Sequence, residues 1–173
     1  AEAMETLRAN MIVFRYQLRH ISRGKYKLSQ YLDAAKPTFA EYLALVQKIK
    51  TAAKERKTML TEKKEISFWN VSKHKELSAK IAKLTEDIEE LKTEKDFLLR
   101  SLDCADDAGI SDVKKEIATL ESALKKLSEQ EAKYSAELDE ALKQYTELKE
   151  QADGMDAAEL MDARLAMREE KER

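Results

Sequence analysis

Apolar side chains recur along this chain at alternating steps of three and four residues, the period of one face of an α-helix. Met4, Leu7, Met11, Phe14, Leu18, Ile21, Leu28 and Leu32 form such a line, interrupted by Lys25. They predict a helix over about 4–33, with Gly24 as a kink or early stop. Ile12, Val13, Tyr16 and Tyr31 lie off the line, so this helix has more apolar surface than a single seam needs. Pro37 then blocks continuation, and Thr38 followed by Glu41 has capping-box spacing, which predicts a new helix over about 38–66. Its far end carries only Met59 and Leu60 as large apolar residues between Lys54 and Glu65, so that end should be mostly wet.

The period loses phase through Ser67, Phe68, Trp69, Asn70, Val71 and Ser72, which reads as a connection with Ser72 as N-cap. Two heptad lines follow. The first, over about 73–102, carries Leu77, Ile81, Leu84, Ile88, Leu91, Lys95, Leu98 and Leu102; the second, over about 112–152, carries Val113, Ile117, Leu120, Leu124, Leu127, Glu131, Tyr134, Leu138 and Ala141, continuing to Tyr145, Leu148 and Ala152. Folded back on each other they match layer by layer, Leu102 with Val113, Leu91 with Leu124 and Leu77 with Leu138. The overhanging second helix would then cover Phe68 and Trp69. Ser111 is placed to cap the second helix and Gly154 to end it, leaving a short helix from Asp156 to about Arg168. The expected architecture is all-α: a long antiparallel helical hairpin, a coiled coil, packed with or extended by a second helix pair. The expected divisions are a basic helical pair over 1–71, the hairpin over 72–152 and a C-terminal helix or tail over 153–173.

Composition narrows the alternatives. Three Gly and one Pro in 173 residues leave little with which to turn many strands, and 38% charged residues suit long amphipathic helices. Mean hydropathy is −0.64, which argues against a membrane-spanning segment. The net charge of −2 hides an asymmetry: residues 1–75 hold 16 basic and 7 acidic side chains, and the remainder 16 and 27. Such a split suits an anionic partner at one end, or two solvated faces of different charge. The lone Cys104 cannot form an internal disulfide, which fits a reducing cytoplasm. The chain opens on Ala1 with no signal-peptide pattern, and a longer parent is expected.

Catalytic chemistry finds little to work with. His20 and His74 are isolated and read as surface residues, and the acidic run Asp103, Asp106, Asp107 lacks the order and terminal Glu of a calcium loop. Acidic neighbours should raise the Cys104 thiol pKa and disfavour the reactive thiolate. No catalytic residue, metal or cofactor is expected, and the chain itself is expected not to be an enzyme. One cluster has binding character: Arg15, Arg19, Arg23, Lys25 and Lys27, with Tyr16 and Tyr26 interleaved, resembles a nucleic-acid or phosphate surface. The alternative is a solvated helix flank.

The wording of the chain carries a resemblance beyond its periodicity. The run Leu84 to Leu99 (LTEDIEELKTEKDFLL), the step Leu102-Asp103-Cys104, the stretch Ala132 to Leu142 (AKYSAELDEAL) and the ending Glu159 to Arg164 (ELMDAR) resemble the helical region after the nuclease domain in MobA/MobL-type relaxases, plasmid and transposon mobilization proteins of Gram-positive gut bacteria. In that family a tyrosine attacks a DNA phosphodiester and a His-hydrophobic-His cluster holds the metal. No such His pair occurs in this chain, so no family active-site residue carries over. The resemblance implies a cytoplasmic, non-catalytic accessory or assembly region of a relaxase. It would position or recruit that protein in conjugation through protein partners of the transfer machinery, with a homodimer left open; the basic half of the chain separately suggests weak, non-specific DNA contact by residues 1–75. The competing reading is a generic coiled-coil scaffold or protein–protein interaction module with no connection to DNA.

Overall fold

The computed structural model describes residues 1–172, save the side chains of residues 157, 171 and 172. Among them are three α-helices, α1 (Glu2–Glu65), α2 (Val71–Ser101) and α3 (Ile110–Glu172), with a single 3-10 turn at Asp107–Gly109 and no strand. The all-α expectation holds. Four of the expected boundaries do not. The helices expected over 4–33 and 38–66 are one, because α1 passes through Pro37. Proline removes one backbone donor and leaves the Asp33 carbonyl without its helical partner, while Leu32, Ala35, Tyr42 and Leu45 keep a single buried face on both sides of it. Thr38 acts as an interior residue, its hydroxyl donating to the Ala34 carbonyl at 2.9 Å, where a capping box would have it accept from a backbone N–H.

Gly154 does not end α3, since no glycine among the described residues adopts positive φ, and the separate C-terminal helix merges into α3. Asn70, two residues before the expected Ser72, caps α2 by accepting from the Lys73 N–H at 3.3 Å. Ser111 caps nothing: α3 begins at Ile110, following a 3-10 turn whose cap is Asp106.

Contacts cluster into two units whose boundary runs through α1 and α3, a division different from the three segments expected. In the unit formed by 1–27 and 123–173, α1 and α3 are antiparallel. Phe14 meets Tyr134 with ring centroids 6.2 Å apart, Lys25 pairs with Glu131 at 3.1 Å, and a Cβ at Gly24 would lie 3.4 Å from Leu127 Cδ1. Gly24 therefore neither kinks nor stops the helix; it lies where α3 comes close. Met11, Ile21 and Ala141 form the buried positions of this unit.

In the unit formed by 28–122, α1 is again the common partner. Arg56 Nε donates to Thr85 Oγ1 at 2.8 Å, Tyr42 to Asp107, and Lys36 pairs with Glu121 at 3.1 Å. Descending α1 thus meets first α2 and then the start of α3, so within this unit the two follow one another along α1. Leu127, Glu131 and Tyr134, assigned by the heptad match to Ile88, Leu84 and Ile81, meet α1 residues instead. The antiparallel contacts at these positions are made with α1, a different partner from the one the heptad match assigned. The core here joins Leu32, Ala35, Tyr42 and Leu45 to Leu77, Ile81, Ile88, Leu98, Leu99, Cys104, Val113 and Ile117. Beyond Leu45 no α1 residue is buried, as its polar far end predicts.

The break between α2 and α3 has a local cause. Asp103 adopts φ 58°, its N–H donates to the Arg100 carbonyl at 3.0 Å, and the Cys104 N–H donates to the Leu99 carbonyl at 2.8 Å. This is a Schellman end with Asp in the left-handed position, and its usual apolar contact is supplied by buried Leu99 and Cys104. Gly109 packs against Cys104 so closely that an added Cβ would lie 3.3 Å from its Sγ.

Candidate nucleic-acid interface

Arg15, Arg19, Arg23 and Lys27 follow one another at four-residue steps, each advancing about 6 Å and drifting about 40° around α1. All four are exposed. Arg19 has Ile12, Tyr16 and Tyr26 within about 60° of its direction, and these three side chains are 64%, 68% and 64% exposed. Lys25 is separated from this group. It lies about 200° around the helix from Arg23, on the apolar line, where it meets Glu131 with its side chain only 28% exposed. Of the five cationic residues read from the sequence, α1 presents four to solvent and turns the fifth into the seam. A lysine that interrupts an apolar line in the sequence is the signal of that difference.

A second polar cluster lies where α2 gives way to α3. Tyr42, buried on α1, donates its hydroxyl to one oxygen of Asp107, and Lys95 binds the other at 2.9 Å. The Tyr42 and Lys95 hydrogen bonds hold the Asp107 carboxyl below its usual range, whereas burial, followed by the Asp107 bond, pushes the Tyr42 phenol well above its own. Nearby, a cavity of about 760 Å³ is lined by Tyr31, Ala35, Leu102, Cys104, Asp112 and Glu116 among others. Burial and the adjoining Glu116 carboxylate raise the Tyr31 phenol. Burial first, then Asp103, Asp106 and Asp112, raises the Cys104 thiol. Shifted upward, the Tyr31 and Tyr42 phenols and the Cys104 thiol keep their protons at neutral pH, and among the described residues no group of three or more His, Cys, Asp or Glu could hold a metal ion.

The Tyr42–Asp107 bond should be visible in the pH dependence of stability. Asp107 binds its proton less readily folded than unfolded, so its contribution is complete above about pH 4 and is lost as pH falls through the folded value. Tyr42 has the opposite sign: its contribution is complete below about pH 10 and is lost as pH rises. Asp107→Asn is expected to cost about 1 kcal/mol at pH 7 and to flatten the acid limb of the melting profile, and Tyr42→Phe to flatten the alkaline limb. Unchanged limbs would show that the bond contributes nothing in solution.

Two other expected placements change. His74 is not simply a surface residue, since its Nε2 is buried and without a hydrogen-bond partner. Phe68 and Trp69 are not covered, being 74% and 76% exposed. Comparison with protein-family models, with curated proteins and with solved structures found no match.

Proposed function

We propose that this chain is a non-catalytic helical accessory region of a DNA-mobilization protein of the relaxase type, in which the exposed basic stripe of α1 contacts the DNA backbone and the antiparallel coiled coil serves as an assembly scaffold for the transfer machinery. The observation that carries the DNA contact is the stripe itself: Arg15, Arg19, Arg23 and Lys27 on one solvent-facing side of α1, with Tyr16 and Tyr26 among them. Planar guanidinium groups at helical spacing suit phosphate oxygens, and interleaved tyrosines add surface for sugars and bases. The relaxase parent rests on the resemblance of the α2 and α3 wording, and a cytoplasmic location goes with it. Among the described residues no helix is long and apolar enough to cross a membrane.

The test is anisotropy of labelled single-stranded and duplex DNA against salt. Three neutralised phosphates give a log–log slope of about −2.7, hence about 40-fold weaker binding at 200 mM salt than at 50 mM. Arg15, Arg19 and Arg23 changed together to Gln should abolish most of that slope, and Lys25→Gln should not. Absence of binding at low salt, or equal binding by the triple variant, would leave a protein-binding scaffold as the better reading. That second reading is favoured by exposed Ile12 and Val13, which add apolar surface beside the stripe.

A further inference from the structure

The connection between α1 and α2 presents an aromatic pair to solvent. Phe68 and Trp69 stack on each other with ring centroids 4.2 Å apart and planes inclined by 29°. Adjacent aromatic residues in a mobile loop would bury their rings wherever apolar surface was available. Here the backbone holds them outward: the Asn70 N–H donates to the Ser67 carbonyl at 3.0 Å, the Val71 N–H to the Trp69 carbonyl at 2.9 Å, and the Asn70 side chain caps α2. The pair is therefore pre-organised, with the ring faces that do not touch each other left open. The chain entering and leaving the turn carries Lys63, Lys64, Lys73 and Lys75, none of them in an ion pair among the described residues. The neighbouring acids are Glu62, Glu65 and Glu76, and Glu76 is already paired with Lys80 at 3.2 Å. The turn thus has a cationic excess.

We infer that this turn is a base-stacking site for single-stranded nucleic acid, with an unpaired base lying on the open face of the Phe68–Trp69 pair and the flanking lysines facing the phosphates. It shares with the proposed function the expectation of a nucleic-acid partner but stands on a different surface. The combination of an aromatic platform and unpaired cations is the one by which single strands are held without sequence readout, since every base has a π-face. A duplex keeps its base faces stacked internally and offers such a platform little. Membrane insertion fits less well, because it rewards a continuous apolar helix face, and these rings are flanked by Ser67, Asn70 and Ser72, with half-buried Ile66 and exposed Val71 as the nearest aliphatic residues along the chain.

Trp69 is the only tryptophan of the chain, so its fluorescence reports on this site alone. Titrating the full chain with a 15-nucleotide oligo-dT at low salt should quench that fluorescence saturably, with the titration moving to higher concentration as salt is added. A duplex of equal length should quench far less. Phe68→Ala and Trp69→Ala, both at exposed positions and checked for unchanged helix content by circular dichroism, should each weaken oligo-dT binding by about tenfold in anisotropy, and Trp69→Phe should largely retain it. The variant with Arg15, Arg19 and Arg23 changed to Gln should still show the quench. Anisotropy showing binding without any change in Trp69 fluorescence would overturn the stacking site while leaving the α1 stripe intact. Equal quenching by duplex, or a blue shift on phosphatidylcholine–phosphatidylserine vesicles with no response to oligo-dT, would also overturn it, the latter in favour of a lipid surface.

Discussion

Leu99→Ala should destabilise the fold by about 2–5 kcal/mol, the range for deleting a fully buried leucine side chain into a site that collapses incompletely. Leu99 is 3% exposed and lies in the last turn of α2, where its carbonyl accepts from Cys104 and its side chain belongs to the buried set of the unit formed by 28–122. The substitution leaves the Schellman backbone bonds chemically intact, so the loss measures packing. Leu102, which the heptad line favours over Leu99, is only half-buried, and its change to Ala should cost visibly less. Urea unfolding followed by circular dichroism, with the slope checked for two-state behaviour, gives both numbers. A cost below about 0.5 kcal/mol for Leu99→Ala, or a larger cost for Leu102→Ala, would contradict the packing around the α2–α3 break.

Pro37→Ala should act in the opposite direction and stabilise. A proline in a helix interior is about 3 kcal/mol less favourable than alanine, because it lacks the donor and crowds the preceding turn. The ring of Pro37 is exposed, so no packing is lost with it, and the new N–H can reach the Asp33 carbonyl. Against this, alanine releases the unfolded chain from a fixed φ, which offsets about 0.4–1 kcal/mol. A net gain of about 2 kcal/mol is expected, read as a higher melting temperature with greater helix content. No gain, or a loss, would mean that α1 does not run straight through this position in solution and that Pro37 begins a second helix after all.

Helix capacity was legible from the chain itself. Steps of three and four residues identify an apolar face whatever that face later touches, and scarce glycine and proline leave few places to turn. The polar far end of α1, the connection at Phe68 and Trp69 and the change at Asp103 could all be read this way. Partner choice was a different matter. Two lines sharing one heptad period match in every layer once they match in one, so the agreement between the α2 and α3 lines carried little information about which helices pair. Each line could equally meet a third of the same period, and α1 is that third. What decided between reversal and continuation was whether α1 survived Pro37 as one helix, long enough to offer a seam to both partners. A dipeptide-level rule cannot weigh one lost hydrogen bond against the buried residues on either side.

The candidate sites divide along the same boundary. Four-residue spacing is enough to put Arg15, Arg19, Arg23 and Lys27 on one stripe, and the place of Lys25 on the apolar line already hinted that it belongs elsewhere. That Lys25 meets Glu131, that Tyr42 and Lys95 share the carboxylate of Asp107, and that Trp69 stays uncovered were decided by tertiary structure alone. Each depends on which residue of a distant segment arrives opposite, and side-chain periodicity is indifferent to that.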